Sequence, residues 1–269
     1  MIGLQNNYLV TTSVKSSEQL IARALEIAQQ LNIPYTPRKR CPLPELETKY
    51  NSNGILVVSK DRLSIYVNGQ EFFFHPGMAK LRIKALKNGH TDQMIDAMGL
   101  GSMDCVLDCT LGLASDAIVA NYITGAKGLV TGLEVNPLMA YVVADGIAHY
   151  NNNSPTLVKA VRGIKVINAN HQRYLCALPD KSIDVIYFDP MFRNPLHKST
   201  SMTPLRQLAN HAPLNLKTIK EACRVAKKRV VMKEANGSNE FYRLGFKQVV
   251  GGKNSPVAYG VIIIGGDDE

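Results

Sequence analysis

The chain has no long apolar run and few cysteines, and both absences restrict what it can be. No stretch of its 269 residues approaches the roughly 20 apolar residues that a membrane helix needs. Its first residues lack a charged segment followed by a long apolar core, so we expect no signal peptide. The five cysteines are odd in number and include no C-x-x-C pair, so nothing indicates a zinc site. We therefore expect a protein of the reducing cytoplasm that binds no metal and no membrane.

Two common nucleotide-binding signatures are absent as well. The sequence contains neither the G-x-G-x-x-G of dinucleotide enzymes nor the G-x-x-x-x-G-K-[ST] of a P-loop. The turn that comes nearest to such a motif, Asp108–Asp116, holds a single glycine, Gly112. A pyrophosphate would lack the close backbone approach that it needs there. The sequence therefore predicts neither a dinucleotide-dependent enzyme nor a P-loop protein.

What the chain does have is the composition of an ordinary globular protein with an excess of positive charge. Hydrophobic residues make up 45% and charged residues 20%, enough for a substantial core in one large domain or in a domain with an appendage. The formal net charge is +9 at pH 7. Clustered Lys and Arg residues attract a polyanion, although any single cluster is more often a solvated basic face. The clusters are Arg38–Arg40, Lys80–Lys87, Arg193 with Lys198, and Arg224–Arg229.

A strand, a glycine-containing turn and a helix follow one another from Cys105. Cys105–Leu107 is a short apolar run, the turn is Asp108–Asp116, and Ala117–Ile123 has the apolar pattern of a helix. This order is that of the first unit of a nucleotide-binding α/β fold, in which the ligand lies at the carboxyl end of the strand. Short strands alternate with helical patterns further along the chain, which favours a mostly parallel sheet with an antiparallel edge.

Two later strands of this pattern end in polar side chains. Gly128–Leu133 is followed by Glu134, whose carboxylate could accept both ribose hydroxyls of an adenosine. Lys165–Ala169 is followed by Asn170 and His171, which could reach an adenine or a ribose. The alternative stays open in both cases, because acids are common at solvated strand ends and Asn and His are common after strands.

The apolar run Ile183–Phe188 ends in Asp189-Pro190-Met191-Phe192. Such an ending presents a carboxylate, a turned carbonyl and a flat ring, which suit the two N–H groups and the face of a base with an exocyclic amine. Asp-Pro is also ordinary strand-terminating chemistry, because proline has no N–H and cannot extend a ladder. Arg193 and Lys198 come next and would stand at the mouth of the site, where RNA phosphates are a reasonable inference.

Three motifs carry a resemblance to a known family. They are Asp108-x-Thr110-x-Gly112-Leu113-x-x-Asp116-Ala117, Leu133-Glu134-x-Asn136-Pro137 and Tyr187-Phe188-Asp189-Pro190-Met191-Phe192. Together they resemble the class I S-adenosylmethionine (SAM) methyltransferases, and more narrowly the bacterial family that methylates guanine N2 of small-subunit (16S) ribosomal RNA. The match covers roughly Leu100–Lys233, and the Asp-Pro-Met-Phe form, in place of the commoner Asp-Pro-Pro-Tyr, is fairly specific.

The resemblance implies a SAM cofactor and an RNA partner, either small-subunit ribosomal RNA or the ribosomal subunit. It implies that Asp189 lies between cofactor and substrate, with Pro190 and Phe192 completing the catalytic group. On the substrate side it implies roles for Met191, Phe192, Arg193 and Lys198. The residues that would bind SAM are Asp108, Thr110, Gly112, Ser115, Asp116, Glu134, Val135, Asn170, His171 and Asp189.

The chain also departs from that family. The family's loop usually reads Gly-Leu-Gly-Arg-Asp, whereas this chain has Gly112-Leu113-Ala114-Ser115-Asp116. The lost glycine adds one methyl group, and the lost arginine removes a positive charge near the cofactor or the RNA. The N-terminal 75 residues also look longer and different from those of the family.

The predicted fold is a Rossmann-like class I methyltransferase sheet, mostly parallel with an antiparallel edge, preceded by a small N-terminal α+β region. We expect that region at 1–75, a helical connector at 76–100 and the SAM-binding domain at 101–269. Residues Ile33–Tyr50, which contain four prolines, are predicted to be an irregular connection, and 193–213 a long loop. Other predicted elements are a helix at Ser17–Leu31, strands at Ile55–Ser59, Leu63–Val67 and Glu71–His75, helices at Met78–Lys87, Asp92–Met98 and Leu214–Val225, and strands at Arg229–Lys233, Gln248–Val250 and Ala258–Ile264.

The predicted reaction is direct in-line methyl transfer to an exocyclic base amine, guanine N2 of small-subunit ribosomal RNA. Three alternatives stay open on the sequence. A methyltransferase acting on DNA adenine or on another RNA base would use the same acceptors. A small-molecule methyltransferase would need a closed apolar pocket. A non-catalytic RNA-binding protein could retain the same fold.

Overall fold

The residues that the structure describes form two β-sheets, one of four strands and one of seven. A computed structural model describes residues 7–191, 208, 212–252 and 255–265. Residues Phe192, Arg193 and Lys198, and most of the predicted loop at 193–213, lie outside the described part of the chain. Among the described residues, no helix is both long and apolar enough to cross a membrane.

The N-terminal elements form the four-stranded sheet, ordered β1-β2-β3-β4, in which β1 pairs parallel to β2 and the other pairs are antiparallel. Its elements are β1 (Tyr8–Thr12), α1 (Glu18–Leu31), α2 (Leu43–Lys49), β2 (Gly54–Val58), β3 (Leu63–Val67) and β4 (Gln70–Phe73). All residues of β1, β2 and β3 are buried because helices cover both faces of this sheet: α1 packs on one face and Leu46 of α2 on the other.

The helix predicted at Ser17–Leu31 is confirmed, with the Ser17 side chain accepting a hydrogen bond from the Leu20 N–H. The prediction of an irregular connection at Ile33–Tyr50 is wrong over α2. Pro44 lies in the first turn of that helix, where its missing N–H costs no hydrogen bond. Leu46 is buried against β2 and β3. Burial of this apolar side chain stabilises a helix that the local sequence pattern is too weak to predict.

Two short helices lead from the small sheet to the large one. They are α3 (Gly77–Lys87) and α4 (Gln93–Met98), close to the bounds that the sequence predicts. The Asp92 carboxylate caps α4 by accepting hydrogen bonds from the Met94 and Ile95 N–H groups. Gly99 ends α4 with φ 57°, a left-handed conformation that glycine adopts without a steric cost.

The large sheet has the strand order β10-β11-β9-β8-β5-β6-β7. Strands β5 to β9 run parallel, and β11 lies antiparallel between β9 and β10. The prediction of a mostly parallel sheet with an antiparallel edge is therefore confirmed. The elements are β5 (Cys105–Asp108), α5 (Ser115–Thr124), β6 (Leu129–Glu134), α6 (Pro137–His149), α7 (Pro155–Arg162), β7 (Ile164–Asn168), α8 (His171–Ala177), β8 (Ile183–Phe188), α9 (Leu216–Val225), β9 (Ala226–Ala235), α10 (Glu240–Arg243), β10 (Gln248–Val250) and β11 (Val257–Ile263).

Helices cover both faces of this sheet, and their connections set the position of the site. One hydrophobic cluster joins α3, α4, α5 and α7 to the sheet, and a second joins α8, α9 and α10 to its other face. The chain passes from β5 to β6 on one side, whereas β8 pairs with β5 on the other. Ligands of open α/β sheets bind where the strand order reverses in this way, at the carboxyl ends of the strands.

The small sheet and the large sheet share apolar contacts. One hydrophobic cluster contains residues of β1, β2, β3 and α1 together with Leu138, Met139 and Val142 of α6. The division into 1–75, 76–100 and 101–269 stays a prediction.

Candidate active site

A cleft opens at the carboxyl ends of β5, β6, β7 and β8 and encloses about 590 Å³, including its mouth. Apolar and polar side chains both line it. The lining residues are Cys109, Thr110, Gly112, Leu133, Glu134, Val135, Met139, Ala169, His171, Asp189, Pro190, Met191, Ala212 and Leu214. The mixture matches what a small-molecule site requires, a mostly apolar wall with a few placed polar groups.

The loop between β5 and α5 forms one side of the cleft. Asp108 is only 2% exposed, and its Oδ1 accepts a hydrogen bond from the Thr110 N–H at 2.9 Å. The Thr110 hydroxyl accepts one from the Asp189 N–H at 2.6 Å, which ties this loop to the end of β8. Gly112 and Ala114 have φ of 50° and 61°, so the chain turns through two left-handed residues before α5 begins.

Glu134 lies at the end of β6, on the floor of the cleft. Its Oε1 accepts a hydrogen bond from the Asn136 N–H at 2.8 Å, and the Gly112 and Val135 N–H groups also donate to the carboxylate. Burial raises the pKa of Glu134, and these backbone donors oppose the rise. The result is a carboxylate held in place by the backbone of two loops at once.

The end of β7 supplies the next two residues. The Asn170 side chain accepts a hydrogen bond from the Arg173 N–H at 3.2 Å and caps α8. The His171 ring packs edge-on against Phe188, with ring centroids 5.9 Å apart. Burial lowers the pKa of His171, which favours a neutral ring facing the cleft.

A partly buried group of charges lies behind Asp189. Lys233 Nζ is 2.9 Å from Asp189 Oδ2 and 3.4 Å from Asp116 Oδ2. The Tyr187 hydroxyl donates to Asp116 at 2.7 Å, and the Arg82 guanidinium pairs with the other oxygen of Asp116. Burial raises the pKa of Asp189 to about 6, with Lys233 opposing the rise. Burial also disfavours ionised Asp116, but Lys233 and Arg82 outweigh it and hold that pKa below its ordinary value.

The residues of the cleft fit SAM. Glu134 offers acceptors for two ribose hydroxyls, and Leu133, Val135 and Ala169 offer apolar contacts for an adenine. A Cβ added to Gly112 would lie 3.9 Å from the Thr110 carbonyl oxygen, an ordinary van der Waals contact, so the loop is not tightly packed at this position. Among the described residues, no group of His, Cys, Asp and Glu is arranged to hold a metal ion.

Comparison with known sequences decides the family. The sequence model of the family described as "Putative SAM-dependent methyltransferase" matches residues 39–255. The chain belongs to this family. It is a SAM-dependent methyltransferase, and the predicted cofactor and enzyme class are confirmed.

The chain is also similar in sequence to two relatives and in fold to one solved structure. The methyltransferase is 40% identical over 255 residues to the uncharacterized protein YpiP of Bacillus subtilis, covering 94% of this chain and 98% of that one. It is 27% identical over 236 residues to ribosomal RNA small subunit methyltransferase J of Desulfotalea psychrophila, covering 82% and 84%. The fold is similar to that of the SAM-dependent methyltransferase NGO1261 from Neisseria gonorrhoeae, with a TM-score of 0.65, 21% identity and 97% of both chains covered.

The predicted site residues of the methyltransferase occupy different places. One set lines the cleft: Thr110, Gly112, Glu134, Val135, His171, Asp189, Pro190 and Met191. A second set lies outside that lining. Asp108 is buried beneath the loop between β5 and α5, and Asp116 belongs to the group of charges behind Asp189. Asn170 caps α8, and Ser115 is the first residue of α5. Phe192, Arg193 and Lys198 lie outside the described residues. Their predicted roles stay predictions.

Sequence reasoning did not find Lys233, Arg82 or Tyr187. Lys233 lies on β9, whose place beside β8 fixes its distance to Asp189. Arg82 comes from α3, outside the large sheet. The sequence carries a signal for Lys233 alone, since a basic residue within an apolar strand needs an acidic partner when it is buried.

Proposed function

We propose that this methyltransferase modifies the exocyclic amine of a guanine, N2, in small-subunit ribosomal RNA. The observation that carries the proposal is the position of Asp189 and Pro190 on the cleft wall. The Asp189 N–H donates to the Thr110 hydroxyl, which connects this wall to the loop between β5 and α5. Relatives named ribosomal RNA small subunit methyltransferase J support the choice of substrate.

The roles of the chain's own residues follow from the chemistry of the amine. SAM, when bound, supplies an electrophilic methyl group on a sulfonium. The guanine amine is a poor nucleophile because its lone pair delocalises into the ring. Asp189 and the Pro190 carbonyl each accept one amine N–H, which favours a more pyramidal nitrogen with its lone pair free to attack. With a pKa of about 6, Asp189 is ionised at neutral pH and can accept the proton that the alkylated nitrogen releases.

Positive charge on the solvent face of α3 supports a nucleic-acid substrate. Arg82 of α3 forms an ion pair with Asp116, so this helix borders the group of charges behind Asp189. Its solvent face carries Lys80, Lys84 and Lys87, and within the described part of the chain no ion pair involves them. Met78 and Leu81 of the same helix are 62% and 61% exposed. A face of unpaired cations and exposed apolar groups suits phosphates and unstacked bases of an RNA loop.

The test is nucleoside mass spectrometry on small-subunit ribosomal RNA from cells with and without the gene. N2-methylguanosine is expected to fall in the deletion and to return with the wild type. Asp189→Ala is expected not to restore it, although it binds SAM in calorimetry. Asp61→Ala removes an exposed carboxylate in the β2–β3 turn and serves as the matched control that restores modification.

Three results would contradict the proposal. Unchanged modification of ribosomal RNA in the deletion would reject the substrate, and transfer RNA, DNA and small molecules would be assayed next. Full restoration by Asp189→Ala would reject the role of that carboxylate. SAM binding without transfer to any nucleic acid would favour a non-catalytic RNA-binding protein.

A further inference from the structure

We propose that Lys233 is a positioning residue of this methyltransferase, which holds the Asp189 carboxylate in the cleft and is itself fixed by Asp116 and Arg82. The inference rests on the proposed function only for the role of Asp189 in the reaction. The arrangement of the four side chains is independent of the substrate.

The contact between Lys233 and Asp189 is a consequence of strand pairing. Phe188 of β8 and Met232 of β9 are paired neighbours in the parallel ladder. The next residue on each strand is therefore Asp189 on one side and Lys233 on the other, and their charged atoms lie 2.9 Å apart. The Lys233 side chain is 22% exposed and that of Asp189 is 30% exposed, so the pair sits at the base of the cleft with one face open to it.

Asp116 fixes the lysine from behind. Its Oδ2 is 3.4 Å from Lys233 Nζ and accepts the Tyr187 hydroxyl at 2.7 Å. Its Oδ1 accepts a hydrogen bond from Arg82. A lysine ammonium on a four-carbon stem has many rotamers, and a second carboxylate on the side away from the cleft restricts them.

Arg82 connects Asp116 to residues outside the large sheet. Its Nε and a terminal nitrogen lie 2.8 Å and 2.9 Å from the two oxygens of Asp92, a bidentate pair that fixes the plane of the guanidinium. Asp92 is in turn the N-cap of α4. The orientation of the catalytic carboxylate therefore depends on α3 and α4, which lie outside the large sheet.

The charges of the group explain why the lysine is needed. Two cations, Lys233 and Arg82, face three acids, Asp92, Asp116 and Asp189. Three neighbouring titratable groups of the described chain are uncharged at neutral pH: burial raises the pKa of Tyr187, that of Tyr259 to about 12 and that of Asp108 to about 8. Without Lys233, Asp116 and Asp189 would face each other with no cation between them, and like charges favour protonation of one of them.

The decisive experiment follows the titration of Asp189 itself in the purified, RNA-free enzyme. Protein with ¹³C-labelled aspartate carboxyls is titrated by NMR, and the Asp189 signal is assigned by its absence in Asp189→Asn. In Lys233→Met the Asp189 midpoint is expected to rise by ~1 pH unit or more, because an adjacent opposite charge lowers a carboxyl pKa by roughly 1–3 units. Lys233→Arg retains the cation and is expected to restore a midpoint close to that of the wild type.

A matched control lies on the same strand. Lys228 of β9 pairs with Asp104, so Lys228→Met removes an equivalent lysine–aspartate pair and is expected to leave the Asp189 midpoint unchanged. Lys233→Gln, which keeps a hydrogen-bond donor without the charge, replaces Lys233→Met if that variant does not fold. An unshifted midpoint in the neutral variant would overturn the inference.

The activity assay adds a measurement, the pH dependence of kcat, that would not change if Lys233 had only a structural role. In Lys233→Met, kcat at pH 7 is expected to fall about twofold if the Asp189 midpoint rises by ~1 unit from about 6 and about tenfold if it rises by ~2 units. It is expected to recover as the pH rises, because Asp189 must be ionised to accept the amine hydrogens. The affinity for SAM is expected to stay the same. A shifted midpoint in an enzyme that leaves ribosomal RNA unmodified would support the role of Lys233 and reject only the substrate.

Discussion

Asp108 is a carboxyl buried beneath the loop between β5 and α5, and no cation of the described residues forms an ion pair with it. Burial raises its pKa to about 8; the hydrogen bonds from Thr110 oppose this rise, and the charges of Asp116 and Asp189 add to it. The folded protein therefore keeps Asp108 protonated at neutral pH, whereas the unfolded chain ionises it near the ordinary value of 3.8. Stability contributed by this residue is lost as the pH rises from about 4 to about 8, because only the unfolded chain releases the proton in that window.

Asp108→Asn is expected to remove this loss. The amide oxygen can accept the Thr110 N–H as Asp108 Oδ1 does at 2.9 Å, and the amide does not ionise. The free energy of unfolding of the variant minus that of the wild type should therefore increase between pH 5 and pH 8, by at most about 1.4 kcal/mol for each pH unit. Urea denaturation at several pH values measures the difference, and a difference that does not change with pH would show that Asp108 is ionised in the folded protein.

Site residues that end a strand could be predicted from the sequence, whereas residues that act across strands could not. Glu134, His171 and Asp189 each follow an apolar run, and the structure brings all three to one cleft. Lys233 reaches Asp189 only because β9 lies next to β8 in a defined register. Strand order is a property of tertiary packing, and a single sequence carries no periodicity that reports it.

At the scale of elements, the turn between β5 and α5 is built from left-handed residues. Gly112 and Ala114 have φ of 50° and 61°. The position of Ala114 is one where the similar family usually has glycine, and its positive φ gives the physical reason for that preference. Ala114 is fully buried, so its methyl group contributes packing that partly offsets the backbone strain.

Gly112→Ala tests the loop against a matched turn elsewhere. The new methyl group would have space, but a left-handed alanine costs roughly 1–2 kcal/mol. Gly89 has φ 83° with nothing within 4 Å of an added Cβ, so Gly89→Ala should lower stability by a similar amount at a site away from the cleft. Only Gly112→Ala is expected to weaken SAM binding in calorimetry, because Gly112 lines the cleft and its N–H donates to Glu134. Equal SAM affinity in both variants would remove the loop backbone from the cofactor site.

Elements with a strong apolar pattern were predictable, and those that depend on one contact were not. The strand predicted at Ile183–Phe188 has the same bounds in the structure, as does the strand predicted at Leu63–Val67. The helix α2 has seven residues and a single buried side chain, Leu46. Its stability comes from packing on the small sheet, and isolated helices of this length are marginal in water.

At the scale of the whole molecule, α6 joins the two sheets. One side of the helix packs with the apolar residues of the small sheet and α1. Arg23 of α1 forms an ion pair with Asp145 at 2.6 Å, and Tyr141 donates to Gln30 at 2.8 Å. Phe74, directly after β4, packs edge-on against Tyr150 with ring centroids 6.3 Å apart. These contacts predict that the two sheets unfold together.

The contact between Phe74 and Gly146 gives this prediction a sharp test. A Cβ on Gly146 would lie 2.4 Å from the Phe74 Cβ and 2.5 Å from its Cγ, atoms close to the backbone that a rotamer change does not move far. Gly146→Ala should raise the helix propensity of α6 by about 1 kcal/mol, yet overpacking costs typically about 1–3 kcal/mol. We expect the clash to exceed the propensity gain, with a Tm lower by a few degrees.

Ala148→Gly is the control, since this exposed position of α6 measures helix propensity without touching Phe74.

Hydrogen exchange distinguishes joint unfolding of the two sheets from independent unfolding of the small sheet. If α6 couples the sheets, Gly146→Ala lowers the protection of amides in β2 and β3 together with those in β5 and β6, because a shared core opens as one unit. Protection lost in the small sheet alone would show that the N-terminal region opens independently, and a Gly146→Ala protein more stable than the wild type would contradict the packing itself.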